Sequence, residues 1–397
     1  MFKRPFGTLL PLVALSGALA AHAAAAADTT GVTDDTIRIG VPGPLTGPNS
    51  SFGAAVYGVQ AYYNHVNERG GVHGRRFEVI LGDTACNEAK GIAVAKKLIS
   101  QDEVFLLNGG VCSGVALAMK PVIAEAGVPW VISTAANQNI SSPVEPNIFH
   151  GVQTSRQFGE AMGKFAMSKP GTEKIAIVAH TNEWAKGYRD PLVNYLKEEH
   201  GIEPVAELAL ERGATDATAQ VLSLRNERPD FVVVVLYEPE LAVLLRDAHK
   251  LGLDVPMVGS LGADFRNTQK RLGSKEAMKS FFMVHQFKGL IDGPEMREMR
   301  EAIETNLPDG QGVTDFTFYG PGSAVAIVHV IEQIGPDLTR EKFIEGMNSL
   351  KDFDTGILAG TMTFTPDDHQ GARDVYVIGY DDSGEIAVFE AWGKRVQ

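Results

Sequence analysis

The residues whose side chains are most capable of chemistry are the two cysteines and the serine that follows one of them. Cys86 lies in LGDTAC, Cys112 lies in NGGVCSG, and Ser113 follows the second cysteine directly. Two cysteines in an oxidising compartment can form a disulfide, and a sulfur in such a bond is not a nucleophile. Two buried free thiols are the alternative. A hydroxyl at position 113, where a predicted helix begins, can cap that helix or donate to an anion held against the helix dipole.

Other catalytic patterns are missing from the sequence. It contains no Gly-x-Ser-x-Gly elbow and no phosphate loop with Gly-Lys-Ser/Thr. The glycines of GPLTGPNSSFG are wrongly spaced for a dinucleotide loop, and the ten histidines form no pair at metal-ligand spacing. His180 ends a predicted strand, where a loop histidine with a backbone partner is favoured over one that lines a cleft. We therefore expect no catalytic residue, metal or cofactor.

The elements that position these residues follow a repeated β–α pattern. Strands such as TIRIGVPG, RRFEVILGD and VFLLNGG alternate with amphipathic helices, and the pattern restarts after FHGVQTSRQ with KIAIVAH and DFVVVVLY. Continuous apolar strands between helices are typical of parallel sheets covered on both faces. The end of the chain alternates apolar and polar residues around a predicted hairpin turn at Asp382, Ser383 and Gly384. The sequence predicts an α/β fold with two lobes.

Two strand ends of this pattern present hydrogen-bond donors. Ligands of α/β proteins bind outside the carboxyl ends of the strands, where helix N-termini carry free N–H groups. Ser113 follows one such strand. In VISTAANQN, one β–α unit later, the Ala135 backbone and Asn137 occupy the same position. Donors from two adjacent strand ends predict a site for a carboxylate.

The first 27 residues have the pattern of a cleaved signal peptide. Lys3 and Arg4 precede an apolar run, and small residues at 23–27 offer a cleavage site. A membrane anchor is the alternative, but the run is shorter than the ~20 residues that a bilayer span requires. Loss of Lys3 and Arg4 changes the net charge from −13 to −15. Such an acidic surface argues against nucleic acid and anionic membranes as partners.

Read together, these segments resemble the type I periplasmic solute-binding proteins of the leucine/isoleucine/valine-binding family. The opening from IRIGVPGPLTGPNSSFG to LGDTACN, the second cysteine in NGGVCSG, and NEWAKG, LYEPELAVLLRDAHKLGL and GSLGADF carry the resemblance. It implies two Rossmann-like lobes with parallel central sheets, joined by hinge strands near 150–153, 284–287 and 360–364. The N-terminal lobe would comprise 32–151 plus 286–361, and the C-terminal lobe 152–285 plus 362–397.

The resemblance also implies a function. A periplasmic monomer would trap a small carboxylate or amino acid in the cleft as the lobes close, and deliver it to an inner-membrane ABC permease. Ser113 and the Ala135 backbone would hold the ligand carboxylate, and Asn137 stands where the family often has a threonine. Aromatic residues would cover the ligand: Phe52, Trp184, Tyr237 and Phe316. Core packing is the alternative for each aromatic residue.

One position departs from the family pattern. Amino-acid binders place an acidic residue in a G-x-E-G loop to pair with the ligand ammonium, whereas this sequence has Leu261 there. Asp264 and Glu238 are nearby acids that could substitute. Since a buried ammonium without a counter-charge is costly, we expect an apolar or aromatic carboxylate rather than a free amino acid. A soluble ligand sensor for a membrane receptor and a secreted hydrolase are the alternative functions.

Overall fold

A computed structural model describes residues 1–2, 27–391 and 393. The predicted signal peptide therefore lies almost wholly outside the described residues. No helix among the described residues is long and apolar enough to cross a membrane.

The first lobe is built on a five-stranded parallel sheet with the order β2-β1-β3-β4-β5. Helices α1, α2 and α3 follow its first three strands, and three later helices, α9–α11, pack on the same face as α1. The strands are β1 (Thr36–Gly43), β2 (Arg76–Asp83), β3 (Leu106–Gly109), β4 (Trp130–Ile132) and β5 (Ile148–His150). The helices are α1 (Ala54–Glu68), α2 (Glu88–Ser100), α3 (Ser113–Ala126), α9 (Arg297–Thr305), α10 (Pro321–Ile334) and α11 (Arg340–Asn348).

The second lobe is built on a seven-stranded sheet with the order β12-β11-β10-β9-β8-β6-β7. Strands β6–β10 are parallel, and β11 and β12 add the antiparallel hairpin that the sequence predicts. The strands are β6 (Ile175–Ala179), β7 (Ala206–Ala209), β8 (Phe231–Val235), β9 (Met257–Gly259), β10 (Phe281–His285), β11 (Tyr376–Tyr380) and β12 (Ile386–Glu390). The helices are α4 (Ser155–Met167), α5 (Glu183–His200), α6 (Thr218–Glu227), α7 (Glu238–Lys250) and α8 (Phe265–Leu272).

Burial explains why the central strands read as unbroken apolar runs. All five residues of β8 are buried, because helices cover both faces of the sheet. The predicted fold class, α/β with parallel-dominated sheets in two lobes, is confirmed.

The chain passes between the lobes three times, and the third passage lies later than 360–364. Phe364 still packs on Phe149 of the first lobe, with ring centroids 5.3 Å apart. The carbonyl of His369 accepts the His150 N–H at 2.8 Å, and the His369 ring contacts Asn348 at 2.9 Å. The chain therefore remains on the first lobe until about residue 372 and joins the second sheet at Tyr376. This long-range packing leaves no trace in local sequence.

Two carboxylates meet where the lobes contact each other. Asp264 begins α8 of the second lobe, and its Oδ2 accepts the backbone N–H of Asp315, from the turn that packs on α1, at 3.3 Å. Burial and the Asp264 carboxylate raise the pKa of Asp315 to about 7, and Arg266 offsets part of this rise. Because the compact protein binds a proton here more tightly than an exposed aspartate does, this group stabilises it less as pH rises from about 4 to 7.

Replacement of Asp315 by asparagine should stabilise the protein at alkaline pH. Asp315→Asn removes the charge that burial and Asp264 disfavour, so we expect a melting temperature at pH 8 that is higher by at least about 2 °C. We also expect a smaller change in melting temperature between pH 5 and pH 8 than in the parent protein. Thermal unfolding at the two pH values measures both effects, with the exposed Asp309→Asn as control. If the pH dependence of the melting temperature is the same in Asp315→Asn as in the parent protein, the Asp315 charge does not destabilise the fold as assigned.

Candidate ligand-binding site

A cavity of about 380 Å³ lies between the two lobes. Its walls come from the segments that follow β1, β2, β3 and β4 of the first lobe and β6, β7, β8 and β9 of the second, together with the turn near Phe316. The carboxyl ends of both sheets therefore face the same space, which is where α/β proteins bind ligands. The volume falls within the range of small-molecule sites. The structure brings six of the predicted site residues to this cavity: Phe52, Ser113, Trp184, Tyr237, Leu261 and Phe316.

Ser113 lies at the first position of α3 with an unused hydroxyl. Its side chain is 2% exposed, and its Oγ has no hydrogen-bond partner among the described residues. Cys112, the residue that caps α3, makes no side-chain hydrogen bond to the helix. The free N–H groups of the first turn and the helix dipole favour negative charge at this point. An unsatisfied buried donor at a helix N-terminus is suited to an anion such as a carboxylate.

Two interactions hold the loops around Ser113. A disulfide joins Cys86 and Cys112, with their Cα atoms 5.7 Å apart, so it ties the loop after β2 to the start of α3. The Asp83 carboxylate accepts hydrogen bonds from the backbone of Leu45 and Ala85 and from the hydroxyl of Thr46. Although burial acts in the opposite direction, these bonds and one from the Lys90 ammonium lower the pKa of Asp83 below its usual range. Both loops at this wall are therefore fixed without a ligand.

Aromatic rings from both lobes form the apolar part of the cavity. Trp184 and Tyr237 of the second lobe stack with centroids 4.4 Å apart and 19° between planes. Phe52 of the first lobe lies 5.6 Å from Tyr237 and 4.8 Å from Phe316. Such rings can enclose a flat or branched apolar group at little conformational cost.

The strand-end geometry of the second lobe positions two of these rings. Asn182 caps α5 by accepting the Ala185 N–H at 3.0 Å, which places Trp184 in the first turn of the helix. His180 accepts the backbone N–H of Tyr237 at 3.0 Å and lies 2.7 Å from the Leu210 carbonyl, so its ring is neutral and burial lowers its pKa. His180 is thus a loop histidine that fixes Tyr237, and it does not line the cavity.

The structure does not place Ala135 and Asn137, which the sequence predicts to bind the ligand, in the wall of the cavity. The Ala135 N–H donates to the Gly110 carbonyl at 2.8 Å and so is directed into the first lobe rather than the cavity. Its neighbours Thr134 and Ala136 line the cavity instead. The Asn137 side chain accepts the Asn139 N–H and donates to the Glu183 carbonyl at 3.2 Å, so it joins the two lobes and does not line the cavity.

Negative charge is sparse around Leu261. Leu261 is 8% exposed and lines the cavity. Asp264 caps α8, Glu238 pairs with Arg271 at 3.1 Å, and neither lines the cavity. The acidic residues that do line it, in the part of the chain that the structure describes, are Glu88 and Glu183, both exposed. Among the residues that the structure describes, no buried carboxylate lines this cavity to pair with a ligand ammonium.

Arg212 and Tyr188 are among the residues of the second-lobe wall that were not predicted from the sequence. The Arg212 guanidinium lies 4.5 Å from the Tyr237 ring centroid and donates to Asn49 of the first lobe at 3.1 Å. Arg212 follows the end of β7, so the strand-end rule could have found it. Tyr188 lies one helical turn after Trp184 on α5, and i,i+4 spacing could have indicated its shared face.

Within residues 27–391 and 393, no group of three or more His, Cys, Asp or Glu side chains could hold a metal ion.

Comparisons with known proteins agree with this architecture. The periplasmic binding protein family matches residues 36–385. A leucine-, isoleucine-, valine-, threonine- and alanine-binding protein of Pseudomonas aeruginosa is 29% identical over 336 residues, which is 84% of this chain and 88% of the relative.

Solved structures share the fold at lower identity. A branched-chain amino acid ABC transporter protein of Thermus thermophilus with bound valine has a TM-score of 0.79 at 20% identity, covering 92% of this chain and 97% of the other. A solute-binding protein of R. palustris in complex with 4-hydroxybenzoate has a TM-score of 0.75 at 21% identity, covering 91% and 96%. The family match spans most of the chain, and the chain belongs to the periplasmic binding protein family.

Proposed function

We propose that this protein is the extracytoplasmic substrate-binding component of an ABC importer and captures a small carboxylate between its lobes. The buried, unpartnered hydroxyl of Ser113 at the start of α3 is the observation that carries the proposal. A ligand carboxylate would accept a hydrogen bond from Ser113 Oγ and from free N–H groups of the first helical turn. The names of the relatives support this function, since they include amino-acid-binding proteins and ABC transporter components.

The ligand that fits the remaining walls is an apolar or aromatic carboxylate. The rings of Phe52, Trp184, Tyr237 and Phe316 surround the apolar part, and Leu261 stands where an ammonium would need a carboxylate. Burial of an unpaired ammonium costs several kcal/mol of binding free energy. This penalty is larger than the free energy gained from one additional apolar contact. Both ligand types occur in neighbours of this fold, one solved with valine and another with 4-hydroxybenzoate.

The transport cycle follows from the two-lobe construction. The chain would be exported by its signal peptide, cleaved near residues 23–27, and would act in the periplasm as a monomer without catalysis. The first lobe would comprise 32–151 plus 286 to about 372, and the second lobe 152–285 plus about 373–397. Hydrogen bonds that join the lobes, such as Arg212 to Asn49 and Asn137 to Glu183, would form on closure, and the closed form would be delivered to the permease.

A ligand screen tests the class of substrate. We expect isocaproate or benzoate to raise the thermal midpoint of the mature protein, and leucine to raise it less, because Leu261 leaves the leucine ammonium unpaired. Ligand at a hundred times its Kd should stabilise the folded protein by about 2.7 kcal/mol. If leucine or valine stabilises the protein and no acid without an amino group does so, the interpretation of Leu261 is wrong.

Removal of the Ser113 hydroxyl tests the carboxylate site. We expect Ser113→Ala to weaken carboxylate binding by about tenfold to a hundredfold, the usual effect of losing a hydrogen bond to a charged group. Isothermal titration with the best acid of the screen measures Kd. The exposed Ser349→Ala, remote from the cavity, is the matched control. An unchanged Kd for Ser113→Ala would contradict the assignment.

The disulfide should support both the fold and the site. Its 26-residue separation predicts that Cys86→Ser/Cys112→Ser lowers the free energy of unfolding by about 3 kcal/mol. Because the bond fixes the backbone before Ser113, we also expect weaker ligand binding under conditions where the variant remains folded. Urea unfolding and titration calorimetry measure the two effects. Full affinity in the folded variant would show that Ser113 is positioned without the disulfide.

A further inference from the structure

A second buried hydroxyl without a partner lies on the opposite wall of the cavity. Tyr188 lines the cavity from α5 of the second lobe and is 1% exposed. Its hydroxyl oxygen makes no hydrogen bond of normal geometry to any described residue. Buried hydroxyls are nearly always paired, so one without a partner at a ligand cavity requires an explanation.

Packing fixes the position of this hydroxyl. The Tyr188 ring stacks on Phe158 of α4 with centroids 5.7 Å apart and 11° between planes, and it lies 5.1 Å from the Trp184 ring. A Cβ added to Gly159 would lie 2.3 Å from the Tyr188 carbonyl oxygen, so α4 and α5 approach as closely as a glycine permits. The Tyr188 ring is therefore held between Phe158 and Trp184.

The proton of the Tyr188 hydroxyl has no acceptor among the described residues. The Trp184 side chain and the Leu261 backbone lie near it and act to lower its pKa, as hydrogen-bond donors do. Burial, and after it the electrostatic effect of Tyr237, outweigh them and raise the pKa of Tyr188 well above its ordinary value, so the hydroxyl keeps its proton. A neutral hydroxyl that is surrounded by donors can donate its own proton to an acceptor atom on the ligand. An ammonium has no lone pair to offer and cannot serve.

On the basis of the function proposed above, we propose that Tyr188 determines specificity by donating a hydrogen bond to a neutral oxygen, hydroxyl or keto, on a carboxylate ligand. The carboxylate itself lies at Ser113, because the N-terminus of α3 favours charge there. Tyr188 lies among the rings of Trp184 and Phe158 and beside Leu261, where a second charge would be poorly solvated. The ligand class is therefore an apolar or aromatic acid that carries one uncharged oxygen substituent.

Two ligand pairs and one conservative variant test this proposal. Each pair differs by a single oxygen substituent: isocaproate against α-ketoisocaproate, and benzoate against 4-hydroxybenzoate. Titration calorimetry on the mature protein should give a Kd at least about tenfold lower for the oxygen-bearing acid of one pair. Tyr188→Phe keeps the ring, and we expect it to abolish this preference, so that the Kd of the oxygen-bearing acid rises at least about tenfold, to the Kd of the unsubstituted acid in the same variant. Tyr195→Phe is the matched control, since Tyr195 lies on the same helix and its hydroxyl contacts His200 instead.

The outcomes separate this proposal from the proposed function. If neither pair shows a lower Kd for the oxygen-bearing acid, or if Tyr188→Phe retains this difference, Tyr188 does not bind the oxygen substituent. If Tyr188→Phe weakens both acids of a pair equally, the hydroxyl binds the carboxylate and the proposal is wrong. If no acid of either pair binds and only amino acids do, the carboxylate function itself fails.

Discussion

A ligand held between two moving lobes needs at least one anchor that does not change when the lobes close. The start of α3 provides it, because its first turn has unsatisfied N–H groups and Ser113 adds a hydroxyl with no partner among the described residues. The disulfide between Cys86 and Cys112 and the hydrogen bonds of Asp83 fix the adjoining loops before any ligand arrives. Such preorganisation lowers the entropy that binding must overcome.

The second lobe supplies the opposite wall of the site. Trp184 and Tyr237 stack on each other and reach Phe52 across the cleft, while Arg212 and Asn137 form hydrogen bonds between the lobes. Asp264 and Asp315 act against these contacts as pH rises. Burial raises the pKa of Asp315 to about 7, so above this pH an ionised Asp315 lies beside the Asp264 carboxylate where the lobes contact each other. The proposed closure would thus depend on a balance of small free-energy contributions, to which ligand binding would add its differential affinity for the closed form.

Local sequence predicted most of the fold because β–α units bury apolar strands in continuous runs that short windows reveal. The same rule placed Ser113, Trp184 and Tyr237 at strand ends, and all three line one cavity. It could not predict Ala135, because whether an N–H faces the cavity or a neighbouring carbonyl depends on a single residue of register. The packing of Phe364 on Phe149 and the bond of Arg212 to Asn49 join residues far apart in sequence, and only the folded chain brings them together.

The central claim is that a ligand carboxylate is bound at the N-terminus of α3. The most direct measurement is a crystal structure of the mature protein with the acid that binds most tightly in solution. We predict a carboxylate oxygen within about 3 Å of Ser113 Oγ, with the apolar group between Phe52, Trp184 and Tyr237. A carboxylate bound instead to the Arg212 guanidinium, with Ser113 Oγ free of ligand, would contradict the account.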